Sequence, residues 1–346
     1  MKKIIALVLF LSLLAACAPS PAEPAATTEP VVPLKTTAAP QDGTAAPTEA
    51  PGAPTAAPTP TGGGSGLLVF SSDRGGVYED IYTMMLDGSG VQQLTSGESS
   101  TFAGPWSPDG TRILFTGFGL TTSFVGVMNA DGSGQTDLSQ VPDVDEGFAA
   151  WSPDGMKIAF TSRRDSNNEV YVMNTDGSGQ VRLTDAAGDD FDADFSPDGG
   201  MLVFASDRGR ASGVYSLYLV GADGSNLTRL TNSDGSDYTP EWSPDGSRIA
   251  FRSTLDGVSD IWVVNVDGSS LVNLTNGEGQ NWNPSWSPDG NHIVFQTDRD
   301  GNWEIYLMNA DGSGQVNLTN NAANDQYPHL QPAAGGSAPP PVTPIQ

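Results

Sequence analysis

Trp286-Ser287-Pro288-Asp289-Gly290, Ile293-Val294-Phe295, Ile305-Tyr306-Leu307-Met308, Asp311-Gly312-Ser313 and Leu318-Thr319: these five pieces, in this order, decide the fold. Ser-Pro-Asp-Gly suits a type I turn, with proline presetting φ at the second position and glycine at the fourth. The short runs of β-branched and aromatic residues read as strands. Asp-Gly between two such runs signals a hairpin, because both residues tolerate positive φ. The phrase therefore spells four short antiparallel strands. Strand A ends at the tryptophan, B is Ile-Val-Phe, C is Ile-Tyr-Leu-Met, and D ends at Leu-Thr. So small a sheet cannot bury both faces alone.

The phrase returns along the chain. Trp106, Trp151, Phe195, Trp242 and Trp286 each open a Ser-Pro-Asp-Gly turn, at spacings of 45, 44, 47 and 44 residues. The Asp-Gly hairpin occurs six times, with glycines at 88, 132, 177, 224, 268 and 312, and the closing leucine six times, at 94, 138, 183, 230, 274 and 318. Four strands in a repeat of this length mark the blade of a β-propeller. With one turn fewer than hairpins, the first blade begins at its B strand, Leu67-Leu68-Val69-Phe70. At the far end Leu330 falls one repeat after Trp286 and has no turn beyond it. The expected fold is all-β: a six-bladed propeller of four-stranded antiparallel blades over 67–332, closed by a strand at about 326–331 that joins blade one. Such closure leaves no open sheet edge at the ends of the repeat.

These turns and endings resemble the TolB-type propeller repeat, in register over 67–332. The resemblance implies a propeller of the cell envelope, of a kind often used to bind other proteins. TolB itself looks like an α/β domain followed by a propeller and is tied to the Tol–Pal system. Residues 1–66 are not expected to hold such a domain, so the resemblance bears on the fold more than on a Tol role.

The flanks carry their own signals. Met1-Lys2-Lys3 precedes an apolar run from Ile4 to Leu14, and Leu14-Ala15-Ala16-Cys17 follows, with Cys17 the only cysteine. Basic start and short apolar core read as an export signal over 1–16, too short to span a bilayer. The four residues ending at Cys17 look like a lipobox, which places a diacylglycerol on that cysteine and anchors the chain without spanning. Residues 17–66 are rich in Pro, Ala and Thr and read as a disordered stalk, and 333–346 as a disordered tail. The expected location is outside the cytoplasm, held by lipid to the outer face of the plasma membrane or to the outer membrane.

Fifteen basic residues face 41 acidic ones, a net charge of −26. That balance excludes the basic face that nucleic acid requires and favours basic partners. Chemistry is sparse. His292 and His329 are the only histidines, and no serine elbow, catalytic cysteine or phosphate loop is present. Propellers of related repeat type include polysaccharide lyases with histidine-rich metal sites, a set missing here. No catalytic residue or cofactor is therefore expected; a glycan-active enzyme is the alternative. Asp190, Asp192, Asp194 and Glu241 are candidate ligands for calcium, a hard cation that takes several oxygens, and would make the domain a calcium-stabilised structural module. The competing reading is solvated acids at the rim.

Phe102, Phe148, Phe191, Tyr238, Trp282 and Tyr327 stand three or four residues before the Trp-type position of each blade. They are expected to ring one end of the central channel, as a surface for a protein, peptide or glycan, or else to wedge between strands and close the channel. The expected protein is a monomeric, non-catalytic binding module displaying that surface.

Overall fold

A computed structural model describes residues 66–139 and 141–332. The segments expected to be an export signal (1–16), a lipid-bearing Cys17 with its stalk (to residue 65) and a tail (333–346) lie outside the described residues.

Among the described residues, twenty-four strands form six sheets of four, each antiparallel, in the order A-B-C-D from the centre outward. The inner strands are Thr101–Trp106, Glu146–Trp151, Asp190–Phe195, Asp237–Trp242 and Asn281–Trp286, in blades two to six. Blade one starts at its B strand, Leu67–Ser72, and takes as inner strand Asp325–Leu330, with Leu68 opposite Leu330. The ring closes as the repeat count requires.

The turns behave as their residues dictate. Gly110 N–H donates to Ser107 O at 2.7 Å, and the Ser107 hydroxyl donates to Asp109 Oδ1 at 2.6 Å. The C–D hairpins differ from expectation in one respect: only the glycine takes positive φ, +81° at Gly88, and Asp87 does not. Gly88 N–H donates to Met85 O and Met85 N–H to Ser89 O, a type I turn followed by a left-handed residue. Asp87 instead accepts both the N–H and the hydroxyl of Ser89. The Leu-Thr ending also has a cause. Thr184 Oγ1 accepts Val170 N–H at 2.9 Å and donates to the buried Glu169 at 2.6 Å, tying strand D to the start of strand C.

Packing is between neighbours. Each of six apolar clusters joins two adjacent blades; one unites Val69 and Ile81 of blade one with Trp106, Ile113 and Phe115 of blade two. Trp106, Trp151, Phe195, Trp242 and Trp286 are all buried, as are Phe70, Phe115, Phe160, Phe204, Phe251 and Phe295 of the B strands. In blades one, three, four and six an arginine beyond strand B covers the Phe of strand B and the Tyr of strand C. Arg74 lies 4.9 Å from the Phe70 ring and pairs with Asp325 at 2.8 Å; Arg164 and Arg208 pair likewise with Glu146 and Asp190. These pairs hold the first residue of the inner strand.

The antiparallel order gives the propeller two unlike ends. Ser-Pro-Asp-Gly turns and Asp-Gly hairpins lie at one, the turn end. The B–C and D–A connections lie at the other, the loop end, where each inner strand begins.

Candidate functional site: the central channel and its loop end

The inner strands surround a channel of about 370 Å³. Five of the six bend at their third residue, where Phe148, Asp192, Thr239, Asn283 and Tyr327 take φ between +46° and +55° and the pairing with strand B slips. The backbone N–H freed at this bulge reaches the B strand of the preceding blade. Ser71 Oγ accepts from Ala103 at 2.7 Å, Thr116 Oγ1 from Phe148 at 3.1 Å, and Gln296 Oε1 from Tyr327 at 2.9 Å. Blade four has Ala205 in that place, and there the Asp192 carboxylate takes the Thr239 N–H instead.

The same position in blade five holds Arg252. It lies 4.7 Å from the Tyr238 ring and 4.2 Å from that of Trp282, and donates to Ser259 Oγ at 3.0 Å. Burial pulls its pKa down, opposed by the nearby Tyr238 and Asp192. Around it the carboxyls are shifted the other way. Asp192 and Asp194 keep some solvent contact, but the channel walls strip most of their hydration and push both up to about 7. For Asp192 the Thr239 N–H and Arg252 oppose that rise, and for Asp194 the N–H groups of Trp242 and Phe195 do. Glu241 is raised well above the carboxylate range, by burial first and by Asp194 second. Burial lowers His329 to about 4, so it is neutral at pH 7.

A sequence model of the TolB β-propeller domain matches residues 105–243 and again 225–336, most of the propeller. The chain belongs to the TolB-type propeller family. TolB from Acinetobacter baumannii has a similar structure, with a TM-score of 0.69 at 22% identity, over 78% of this chain and 68% of that one. A candidate TolB from Agrobacterium tumefaciens gives 0.60 at 22% identity, over 79% of this chain and 100% of the other. Kuenenia stuttgartiensis hydrazine synthase gives 0.64 at 15%, over 79% and 47%. Identities this low carry the fold and no more, and one fold serves many chemistries. No curated protein sequence matches the chain.

Within this TolB-type frame the six aromatics fall into two sets. All six are half-buried. Phe102, Phe148 and Tyr327 line the channel, with Phe102 stacked on Tyr327 at 4.7 Å. Phe191, Tyr238 and Trp282 pack sideways: Phe191 meets Tyr215 at 4.8 Å, Trp282 meets Trp303 at 4.6 Å, and Tyr238 stands beside Arg252. Phe148 and Tyr327 occupy the bulged third place, and the other four the second.

The four calcium candidates are also divided. Asp192, Asp194 and Glu241 line the channel, whereas Asp190 turns away to Arg208. Among the described residues no group of three or more His, Cys, Asp and Glu side chains is placed to hold a metal ion. His292 stays half-buried just after its turn. Arg252, Thr239 and Asn283 belong to no motif that marks them in the sequence. Arg252 left a trace, as an arginine where other B strands carry Ser, Thr, Ala or Gln.

Proposed function

We propose that the chain is a non-catalytic binding module of the cell envelope, held to a membrane by lipid on Cys17 and offering the loop end of blades one and two to a protein partner. One observation carries this reading. Among the described residues, the large hydrophobic side chains exposed at the loop end all fall on these two blades: Val77 at 90%, Tyr78 at 42% and Leu120 at 101%. Val77 and Tyr78 lie on the B–C loop of blade one and Leu120 on that of blade two. Ser100 ties the two loops together, because its hydroxyl binds Glu79 and its carbonyl accepts Phe118 N–H at 3.2 Å. Exposed apolar side chains on two neighbouring loops of an acidic protein suit a partner with apolar anchors and a basic surround.

The lipobox-like Leu14-Ala15-Ala16-Cys17 and the shortage of catalytic side chains support the remainder of the reading. The test has two arms. Cys17→Ser is expected to abolish labelling by a radioactive fatty acid and to release the protein from membranes. Crosslinking in intact cells is expected to join the wild-type chain to one envelope protein and to lose that adduct in Val77→Ser/Leu120→Ser. A membrane-bound, unlabelled wild type would overturn the anchor. An adduct indifferent to the double substitution would overturn the surface.

A further inference from the structure

Arg252 is a half-buried charge that the fold leaves without a counter-ion. Its place on strand B normally serves the next blade. Ser71, Thr116, Thr161 and Gln296 each accept the N–H of the third residue of the following inner strand; for Thr161 that donor is Asp192, at 3.3 Å. A guanidinium has only donors, so Arg252 offers no acceptor to the matching N–H, that of Asn283. Its own donors are also under-used. Nε–H reaches Ser259 Oγ, but among the described residues Nη1 and Nη2 find no acceptor, and no carboxylate lies within 4.0 Å of them. Neither is sealed from solvent. The rings of Tyr238 and Trp282 fix the group in this position.

An opposite charge stands near without pairing. Asp192 accepts the N–H of Thr239, the residue after Tyr238, and Tyr238 lies directly opposite Arg252 across the strand pair. Asp192 and Arg252 act on each other electrostatically, yet remain beyond ion-pair distance. Asp192, Asn283 and Tyr327, which also acts on Arg252, all line the channel. Two opposite charges, each partly stripped of water and held apart, are costly unless something bridges them.

We propose that the loop end of the channel binds a free α-amino acid, whose carboxylate accepts from Nη1 and Nη2 of Arg252 and whose ammonium group donates to Asp192. Arginine presents two parallel donors that match a carboxylate. A simple anion would satisfy Arg252 alone and would be repelled by a chain of net charge −26. A simple cation would satisfy Asp192 and leave the guanidinium unpaired. A zwitterion answers both groups and carries no net charge. The channel, about 370 Å³, has room for it. The proposal goes beyond the protein-binding surface of blades one and two and does not depend on it.

The experiment titrates the full chain with glycine, alanine, serine, glutamate, lysine and phenylalanine, followed by calorimetry and saturation-transfer NMR. Propionate and ethylamine, each carrying one of the two charges, serve as partial probes. At least one amino acid is expected to bind saturably, about tenfold or more tighter than either partial probe. Arg252→Lys keeps the charge but loses the paired donors, and Asp192→Asn keeps an acceptor for Thr239 but loses the charge. Each is expected to weaken binding about tenfold while circular dichroism shows a wild-type melt. Arg163→Gln removes an exposed arginine from the B–C loop of blade three and is expected to change affinity less than about twofold. Val77→Ser/Leu120→Ser is expected to leave amino-acid binding unchanged. Failure of every amino acid to bind, binding of propionate or ethylamine as tight as that of the best amino acid, or an affinity unaltered by either Arg252→Lys or Asp192→Asn would overturn the proposal.

Discussion

Replacing Asp192 and Asp194 together by asparagine should remove most of a pH dependence built into the channel. Burial raises both carboxyls from an ordinary 3.8 to about 7. The folded chain therefore holds these protons over a range where the unfolded chain has released them. The sign follows from linkage: stability falls as pH rises from about 4 to about 7, then levels off. Three pH units at 1.36 kcal/mol each set an upper limit of about 4 kcal/mol per group. The channel admits water and both groups keep hydrogen bonds, so about half of that is the working figure, or roughly 4 kcal/mol for the pair. About two of the three units lie between pH 5 and pH 8, so at about 2 °C per kcal/mol for a domain of this size, wild type should melt roughly 5 °C lower at pH 8 than at pH 5 from this source. Asparagine keeps an acceptor for Trp242 N–H and has no proton to lose. Calorimetry of both proteins across that range, at constant salt, reads the difference between the two slopes, because the remaining acidic residues are common to both. A double variant whose melting temperature falls as steeply as that of wild type would refute the reasoning.

Three further outcomes follow from the blade geometry. Gly132 has φ +83°, and an added Cβ would lie 2.6 Å from Leu94 O of the preceding blade, whereas Gly209, at φ +70°, has nothing within 4 Å. Denaturant unfolding should show Gly132→Ala losing about 2–3 kcal/mol and Gly209→Ala about 1. Arg164→Met strands the buried Glu146 carboxylate, whose Oε2 already lacks a partner, and should cost about 2–3 kcal/mol in the same assay. Ending the chain after Asn324 removes the inner strand of blade one and opens the ring; circular dichroism should show loss of cooperative melting, which ending it after Pro332 should preserve.

The fold was legible because every blade repeats the same local chemistry. Ser-Pro-Asp-Gly and Leu-Thr are read residue by residue, and the missing first turn foretold that Asp325–Leu330 pairs with Leu67–Ser72. The hairpin aspartates show how far such reading goes: the turn was placed correctly, yet Asp87 keeps an ordinary φ because the Ser89 bonds favour the longer loop. The channel was less legible. The spacing of three rather than four to the Trp-type position separates Phe148 and Tyr327 from Phe191, Tyr238 and Trp282 in the sequence, but the bulge at the third residue, which turns the first pair into the channel, carries no residue signature of its own. The unpaired indoles of Trp242 and Trp286 look, in sequence, identical to the paired ones of Trp106 and Trp151. Only the carboxyls 48 and 45 residues earlier distinguish them.

A photo-reactive amino acid placed at Leu120, and separately at Met156, tests most directly which end of the propeller meets a partner. Both side chains are exposed, Met156 at 68%, and Met156 follows the Ser-Pro-Asp-Gly turn of blade three at the opposite end. Irradiation of intact cells should yield a discrete adduct with one protein from position 120 and none from position 156. An adduct from position 156 alone, or from neither, would contradict the assignment of the loop end of blades one and two as the binding surface.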